Sequence, residues 1–494
     1  MKQPGRWLVV IFLIVLGFRL FFAFQSMNYD YAAYFNVRQI EHISHTGLPV
    51  MNDELSYGGR TLMFMPVFHY ILGGFDMFLP GIVVFKILPN LFAASLVFII
   101  YLMAKKLTSN DQVSLFAAFV SGFIPAFVAQ TVNSVSSYAL AIPLIFLMIY
   151  FIMNMSEMRY VKYFALLIFI APFASIGVLL LVIGLLFYLV LIRVEGLKQK
   201  RVELEVILFG TFFVTWIYFL IFKNAFLEHG ISIIWQNAPE AVLSFHFMDI
   251  SIPGALFSMG LIPVIGGIYI IYRYLFKETD KNIYLLIGFA VSTGLMLWAK
   301  LIEPWIGFAF LGIILTLLFC RAFKLLLNYV DKTKFAKHRN NVFLGIFLVV
   351  VVTSIIPTYL YTRAVMDDAP SKADMEAFEW LGKYAGEDDV VLATLDEGYL
   401  VNYIGKTNVA DNNFMMVENP AQRYNAVKRM YVSQYKTEAV SLLTAYDVKY
   451  IVFSEKAKRE YSIEGLKYVD EDCFELVYDE EVKIYESSCK VEEI

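Results

Sequence analysis

Apolar runs of about 20 residues recur from the start of the chain to near residue 361, and a run of that length is what a helix needs to cross a bilayer. Hydrocarbon offers the backbone no water to bond, so each run has to be helical and packed into a bundle. The runs lie at 7–24, 81–104, 113–129, 138–153, 160–175, 176–192, 203–222, 253–276, 282–299, 304–327 and 342–361. Lys2 and Arg6 precede the first run as in a signal peptide. That run is long, however, Arg19 interrupts it and no small-x-small cleavage site follows, so it reads as a retained helix. Charged residues make up only 17% of the chain, against about 25% in soluble domains, and they concentrate after residue 371. The expected fold is therefore a polytopic α-helical membrane protein with about 11 transmembrane helices and a C-terminal soluble domain. The net charge of −4, with no basic stripe, argues against nucleic acid as a partner.

Charge sets the orientation. The stretch 62–79 is also apolar, and whether it crosses decides the topology. If it does not, Lys2, Arg6, Lys105, Lys106, Arg159, Lys162 and the clusters at 193–201, 273–281 and 321–339 share one side. That is about 19 cations, against about four (Arg38, Arg60, Lys223 and Lys300) opposite. Counting 62–79 as a span destroys this asymmetry, so it is expected to be re-entrant and packed against protein. The protein is then integral to the cytoplasmic membrane, with its N-terminus cytoplasmic and its tail extracytoplasmic. Residues 1–365 form the membrane domain, with a first outer loop at 27–80 and a third at 223–252, and residues 366–494 form the soluble domain. Arg19 is expected to find a partner inside the bundle and Lys86 to snorkel to the outer interface.

Cys320 ends an apolar run and reads as a buried small hydrophobe. Cys473 and Cys489 flank a strand–turn–strand segment; an extracytoplasmic tail leaves a disulfide there open, because spacing does not show geometry. VKYIVFS at 448–454 reads as a buried strand, which suits a small α/β domain. The histidines at 42, 45 and 69 lack zinc-ligand spacing.

The first outer loop reads NYDYAAYFNVRQIEHISHTGLPVMNDELSYGGRTLMFMPVFHYIL. It places a carboxylate directly after a membrane helix, then an aromatic-Arg helix, Gly-Leu-Pro, a second acidic pair and Gly-Gly-Arg. It resembles the first loop of the oligosaccharyltransferase catalytic subunits, members of the GT-C superfamily of lipid-dependent glycosyltransferases. The matching positions are Asp30, Tyr34, Phe35, Asn36, Arg38, Gly47, Asp53, Glu54, Ser56, Tyr57, Gly59 and Arg60, with a slightly longer spacing from Asp30 to Phe35 than in the family. The segment IPAFVAQTVNSVSSYALAIP parallels a family segment whose acidic triad holds a divalent cation. Here that triad is Val135-Ser136-Ser137, and neutral hydroxyls are poor ligands for Mg or Mn. The loop 223–252 takes the place of the family's mobile loop, making Glu240 and Asp249 its candidate acids, with Glu228 and His229 behind them. Lys300, in LWAKLIEPW, stands where the family places an Arg against the lipid diphosphate; its plainer reading is an interfacial Lys paired to Glu303. In the tail, Thr394-Leu395-Asp396-Glu397-Gly398-Tyr399 matches the family's Trp-Trp-Asp-Tyr-Gly turn, keeping Asp396 and Gly398 but not the Trp pair. Asp411-Asn412-Asn413 follows.

The resemblance implies a GT-C-like fold and an inverting glycosyltransferase. Such an enzyme passes a sugar or oligosaccharide from a polyprenyl phosphate or diphosphate to an acceptor, protein Asn or another glycan, on the outer face. Its partners are membrane lipid, the lipid-linked donor and the acceptor. Asp30, Glu240 and Asp249 become catalytic candidates, and Lys300, Arg38 and Arg60 donor-phosphate ligands. Asp396, Gly398 and Tyr399 become acceptor ligands, and Asp30 the candidate ligand of a divalent cation, Mg or Mn, whose presence stays open. By residue type alone Asp30 is a solvated turn carboxylate, and Arg38 and Arg60 are structural or phosphate-binding. The altered triad and Trp pair keep a second reading alive, a non-catalytic scaffold or glycolipid-binding protein of the same fold. A transporter is less favoured, since no internal repeat is visible.

Overall fold

The computed structural model describes residues 3–248, 250–334 and 336–490. The chain forms two compact units, neither continuous in sequence. The first comprises Met1–Ser26, Phe64–Ile221 and His246–Asp367, and the second Met27–Met63, Phe222–Phe245 and Asp368–Ile494.

The first unit is helical. Six helical runs among the described residues are long and apolar enough to cross a membrane: Pro4–Ala23, Val83–Thr108, Arg201–Ser244, Lys281–Trp298, Pro304–Val330 and Ala336–Tyr384. Ile252–Met259 and Leu261–Phe276 make a seventh if counted together, although they bend by 89° at Gly260, whose φ is +92°. Eleven crossings do not emerge from length and apolarity alone, because several apolar runs are broken. The run at 113–129 divides into Asp111–Ser121 and Pro125–Ala129, and that at 160–175 ends as helix at Ile170, before a 3-10 turn carrying Pro172. Proline at these points removes a backbone donor and stops the preceding helix. In the stretch 62–79 the helix is Val67–Asp76, ten residues long. Its length of about 15 Å is half the thickness of the hydrocarbon.

Buried cations in this unit are paired with neutral groups. Arg19 donates from Nε to Asn90 Oδ1 at 3.0 Å and also to Thr131 Oγ1, with its guanidinium 5.3 Å from the Phe127 ring. Asn90 in turn donates to the carbonyls of Lys86 and Val132. Lys86 does not snorkel. It is buried, and its ammonium donates to the carbonyls of Ala23 and Ser26 at 2.7 and 2.5 Å, capping the end of the first helix.

The second unit is an α/β sandwich. Strands β1 (Asn52–Asp53) and β2 (Arg60–Thr61) form a short antiparallel ribbon in the first loop. The main sheet contains β3 (Val390–Leu392), β4 (Thr407–Asn408), β5 (Val448–Phe453), β6 (Phe474–Asp479) and β7 (Lys483–Ser487), in the order β4-β3-β5-β7-β6. The β3 pairings with β4 and β5 are parallel; those of β7 are antiparallel. Strand alternation sends Val390, Leu392, Ile451 and Phe453 to one face and Val391, Tyr450 and Val452 to the other. The first face packs on the helices Pro420–Val432 and Lys436–Ala445, joined by Val242. The second packs on Lys372–Tyr384 and receives Tyr31 and Tyr34 from the first loop. The segments 27–63 and 222–245 thus both supply core residues to the tail's sheet.

The β6–β7 hairpin is closed by a disulfide between Cys473 and Cys489, with Cα atoms 5.0 Å apart. Cys320 is free and buried, as its place in an apolar run suggests. Cross-linking a loop of this size stabilises by about 3 kcal/mol. Cys473→Ser, or reduction of the intact protein, should therefore lower the unfolding free energy of the second unit by about that amount, measured by denaturant titration.

Candidate functional site

The site is built around Asp30, in the second unit. Asp30 caps the helix Tyr31–Thr46: its backbone is extended and its carboxylate accepts from Ala33 N–H at 2.8 Å. The helix is anchored by Tyr31 and Tyr34 in the core, and Asn28 Nδ2, two residues ahead of the cap, donates to the Pro370 carbonyl at 2.9 Å. Three charged residues from the tail gather by it. Lys456, on the helix Glu455–Tyr461, places its ammonium 2.8 Å from Asp396 and 3.1 Å from Asp368, and 4.7 Å from the centre of the Tyr31 ring. Burial pushes the Asp30 carboxyl up to about 7. Asp396 and Asp368 add to the rise, and the Ala33 hydrogen bond and Lys456 oppose it.

The cations of the first loop are engaged with carboxylates. Arg38 donates to Asp53 at 2.8 Å. Arg60 is 3% exposed and lays its fork on both oxygens of Asp411, with a further bond to the Asn413 carbonyl and Asp53 at 3.8 Å. Of the adjacent acids Asp53 and Glu54, the first is buried in this network and the second is exposed. Backbone bonds join the same loop to the sheet edge, from Tyr57 N–H to the Asn408 carbonyl and from Asn408 N–H to the Leu55 carbonyl.

In the tail turn, Asp396 is 40% exposed and also accepts from Asn412. Gly398 is packed so closely that a Cβ there would stand 2.3 Å from the Ala410 carbonyl oxygen, so the turn needs glycine. The Tyr399 ring lies 6.0 Å from that of Phe35. Glu240 is exposed at the start of the helix Glu240–Met248. Asp249 lies outside the described residues. Lys300 belongs to the first unit, exposed at a turn with positive φ, its ammonium 5.6 Å from the Phe247 ring.

Two residues to which the sequence assigns no role are Lys456 and Glu397. Lys456 follows the predicted buried strand by a few residues, and that was its one signal. Glu397 occupies the turn but points inward. It is buried, and one carboxyl oxygen accepts from Thr394 N–H at 3.0 Å.

Among the described residues, no group of three or more His, Cys, Asp or Glu is placed to hold a metal ion. The donor set does not fit a divalent cation. Val135-Ser136-Ser137 offers no carboxylate, and the space between Asp368 and Asp396 is filled by the Lys456 ammonium.

A unit of apolar helices together with an α/β unit is also what several solved structures contain. Among solved structures, the archaeal oligosaccharyltransferase AglB from Archaeoglobus fulgidus, in complex with an inhibitory peptide and a dolichol-phosphate, matches with a TM-score of 0.67. The identity is 12%, over 92% of this chain and 70% of that one. The A. fulgidus oligosaccharyltransferase tethered with an acceptor peptide containing the NVT sequon gives 0.65 at 14% identity, over 92% and 69%. ArnT from Cupriavidus metallidurans bound to undecaprenyl phosphate gives 0.58 at 11%, over 97% and 98%. No family model matches the chain, and no curated protein matches it. The likeness is one of fold.

Breaking a buried ion pair by removing one partner costs about 3–5 kcal/mol, whereas replacing both with apolar groups is often neutral. Arg60→Met alone should destabilise the second unit by that amount, and Arg60→Met with Asp411→Leu should recover most of it in denaturant melts.

Burial raises the Glu397 carboxyl above its ordinary value, and the Ser454 and Thr394 hydrogen bonds pull against this. Stability from a raised carboxyl is complete below its unfolded pKa and is lost as pH climbs through the folded one. Glu397→Gln should therefore melt higher than the parent at pH 8 and no higher at pH 4.

Proposed function

We propose that this protein is a GT-C glycosyltransferase moving a sugar or oligosaccharide from a polyprenyl phosphate or diphosphate to an acceptor on the outer face of the cytoplasmic membrane. The fold supports the class, since its structural neighbours are held with dolichol-phosphate and undecaprenyl phosphate. The observation that carries the reading is Asp30, a carboxylate with a pKa brought up to about 7, fixed at a helix cap beside Asp396. A base works best when its pKa lies near the working pH.

In this reading the acceptor hydroxyl or amide attacks the anomeric carbon. The C–O or C–N bond forms as the bond to the donor phosphate breaks, the phosphate leaves with the electron pair, and the acceptor proton passes to Asp30. Lys300 is our candidate for the donor phosphate, being the exposed cation of the three proposed from sequence. We assign Arg38 and Arg60 to holding the loop, through Asp53 and Asp411. Asp396 and Tyr399 border the acceptor, with Gly398 shaping their turn, and Glu240 and Asp249 are kept as further candidate acids. The chain would cross the membrane about eleven times with its N-terminus cytoplasmic, as the cation asymmetry supports. Residues 62–79 would dip without crossing. An extracytoplasmic tail accords with the Cys473–Cys489 disulfide.

Purified protein supplied with a polyprenyl-linked donor and a peptide or glycan acceptor should transfer, at a rate that climbs with pH through about 7 as Asp30 ionises. Asp30→Asn should cut the rate by about 10²-fold or more and flatten that rise. Full activity in Asp30→Asn would remove it as the base. Donor-lipid binding without any transfer would favour the non-catalytic scaffold.

A further inference from the structure

The cluster around Asp30 gathers three carboxylates, Asp30, Asp368 and Asp396, and one buried tail residue answers them. Lys456 is 9% exposed and bridges Asp396 and Asp368 at 2.8 and 3.1 Å. The helix that carries it is capped by Ser454, whose hydroxyl oxygen accepts from Ala457 N–H at 3.1 Å. That helix follows directly on β5, the strand in the middle of the sheet. The Tyr31 ring, next to Asp30 in sequence, covers the ammonium at 4.7 Å. Withdrawing Lys456 would leave carboxylates facing one another, so the ammonium is an integral part of the site.

We propose that Lys456 is a built-in cation, a positioning residue whose ammonium neutralises Asp30, Asp368 and Asp396 in place of a divalent metal. The proposal rests on the glycosyltransferase reading for its consequence in catalysis, but its electrostatic content stands apart from that reading. Two carboxylates within bonding distance of one ammonium nitrogen are also within reach of one metal ion put in its place. A lysine and a divalent ion therefore compete for one position, and the chain encodes the lysine.

The experiment uses the full-length protein in nanodiscs and reads melting temperature with Mn²⁺ and with a chelator. The parent should be indifferent to both. Lys456→Ala should melt lower and regain about 2–4 °C on Mn²⁺ addition, and adding Asp396→Asn should abolish that gain. Should Lys456→Ala not fold, Lys456→Met keeps the apolar stem over Tyr31 and tests the same response. A parent that gains stability from Mn²⁺, or a Lys456 variant that does not respond to it, overturns the proposal. Transfer is assayed in parallel with chelator present. Chelator-sensitive transfer also overturns the built-in cation, whereas a parent inactive with every donor strikes only at the functional reading, because the melting series still decides the cation.

Discussion

A guanidinium taken out of water has to find its charge partner in the fold, and Arg60 finds it in Asp411, 351 residues later. Both oxygens of Asp411 meet the Arg60 fork, and the neighbouring backbone of Leu55 and Tyr57 exchanges bonds with Asn408. Such a pair adds little net stability over apolar packing, yet it tolerates only one register, since a shifted loop would strand two buried charges. It therefore fixes where the first loop sits on the sheet. Everything at Asp30 follows, because the helix that Asp30 caps is set between this anchor and the Tyr31 and Tyr34 side chains in the core.

The sheet in the second unit is consequently not a domain of the tail alone. Its two faces are finished by segments that the chain makes much earlier, Tyr31 and Tyr34 on one and Val242 on the other. Contacts across such separations add loop-closure entropy and slow folding. During synthesis the first loop must wait for the tail before Arg60 finds Asp411. The local order it can hold meanwhile comes from the Asp30 cap, the Gly47 helix end and the β1–β2 ribbon.

How much could be read from sequence depended on the range of the interaction involved. Apolar runs are local, so the membrane unit was plain; the breaks within runs, at Pro125 and Pro172, were harder to weigh against hydropathy. Asp30 and Asp396 drew attention through resemblance to a family, not through residue type. Arg38 and Arg60 stood out as rare outer cations, but their bonds to Asp53 and Asp411 are tertiary facts. Lys456 had no pattern to mark it: a lysine in a short helix reads as a solvated surface, and only folding places it beneath Tyr31 between two acids. The cysteine pair needed a distance, which spacing could not supply.

Asp30 carries two duties that pull on one proton. Its bond from Ala33 N–H favours the carboxylate, as does Lys456, while burial and the charges of Asp396 and Asp368 favour the acid. A cap of this kind holds its helix by about 0.5–2 kcal/mol, and it does so best when the side chain is charged at the positive end of the helix. The state that secures the loop helix is thus the state in which the proposed base is ready to take a proton. Once it has taken one the cap weakens, and the start of the loop loosens at the moment a product would have to leave. Local order and proton occupancy are linked here through a single carboxylate, and the Lys456 ammonium biases it toward the charged state.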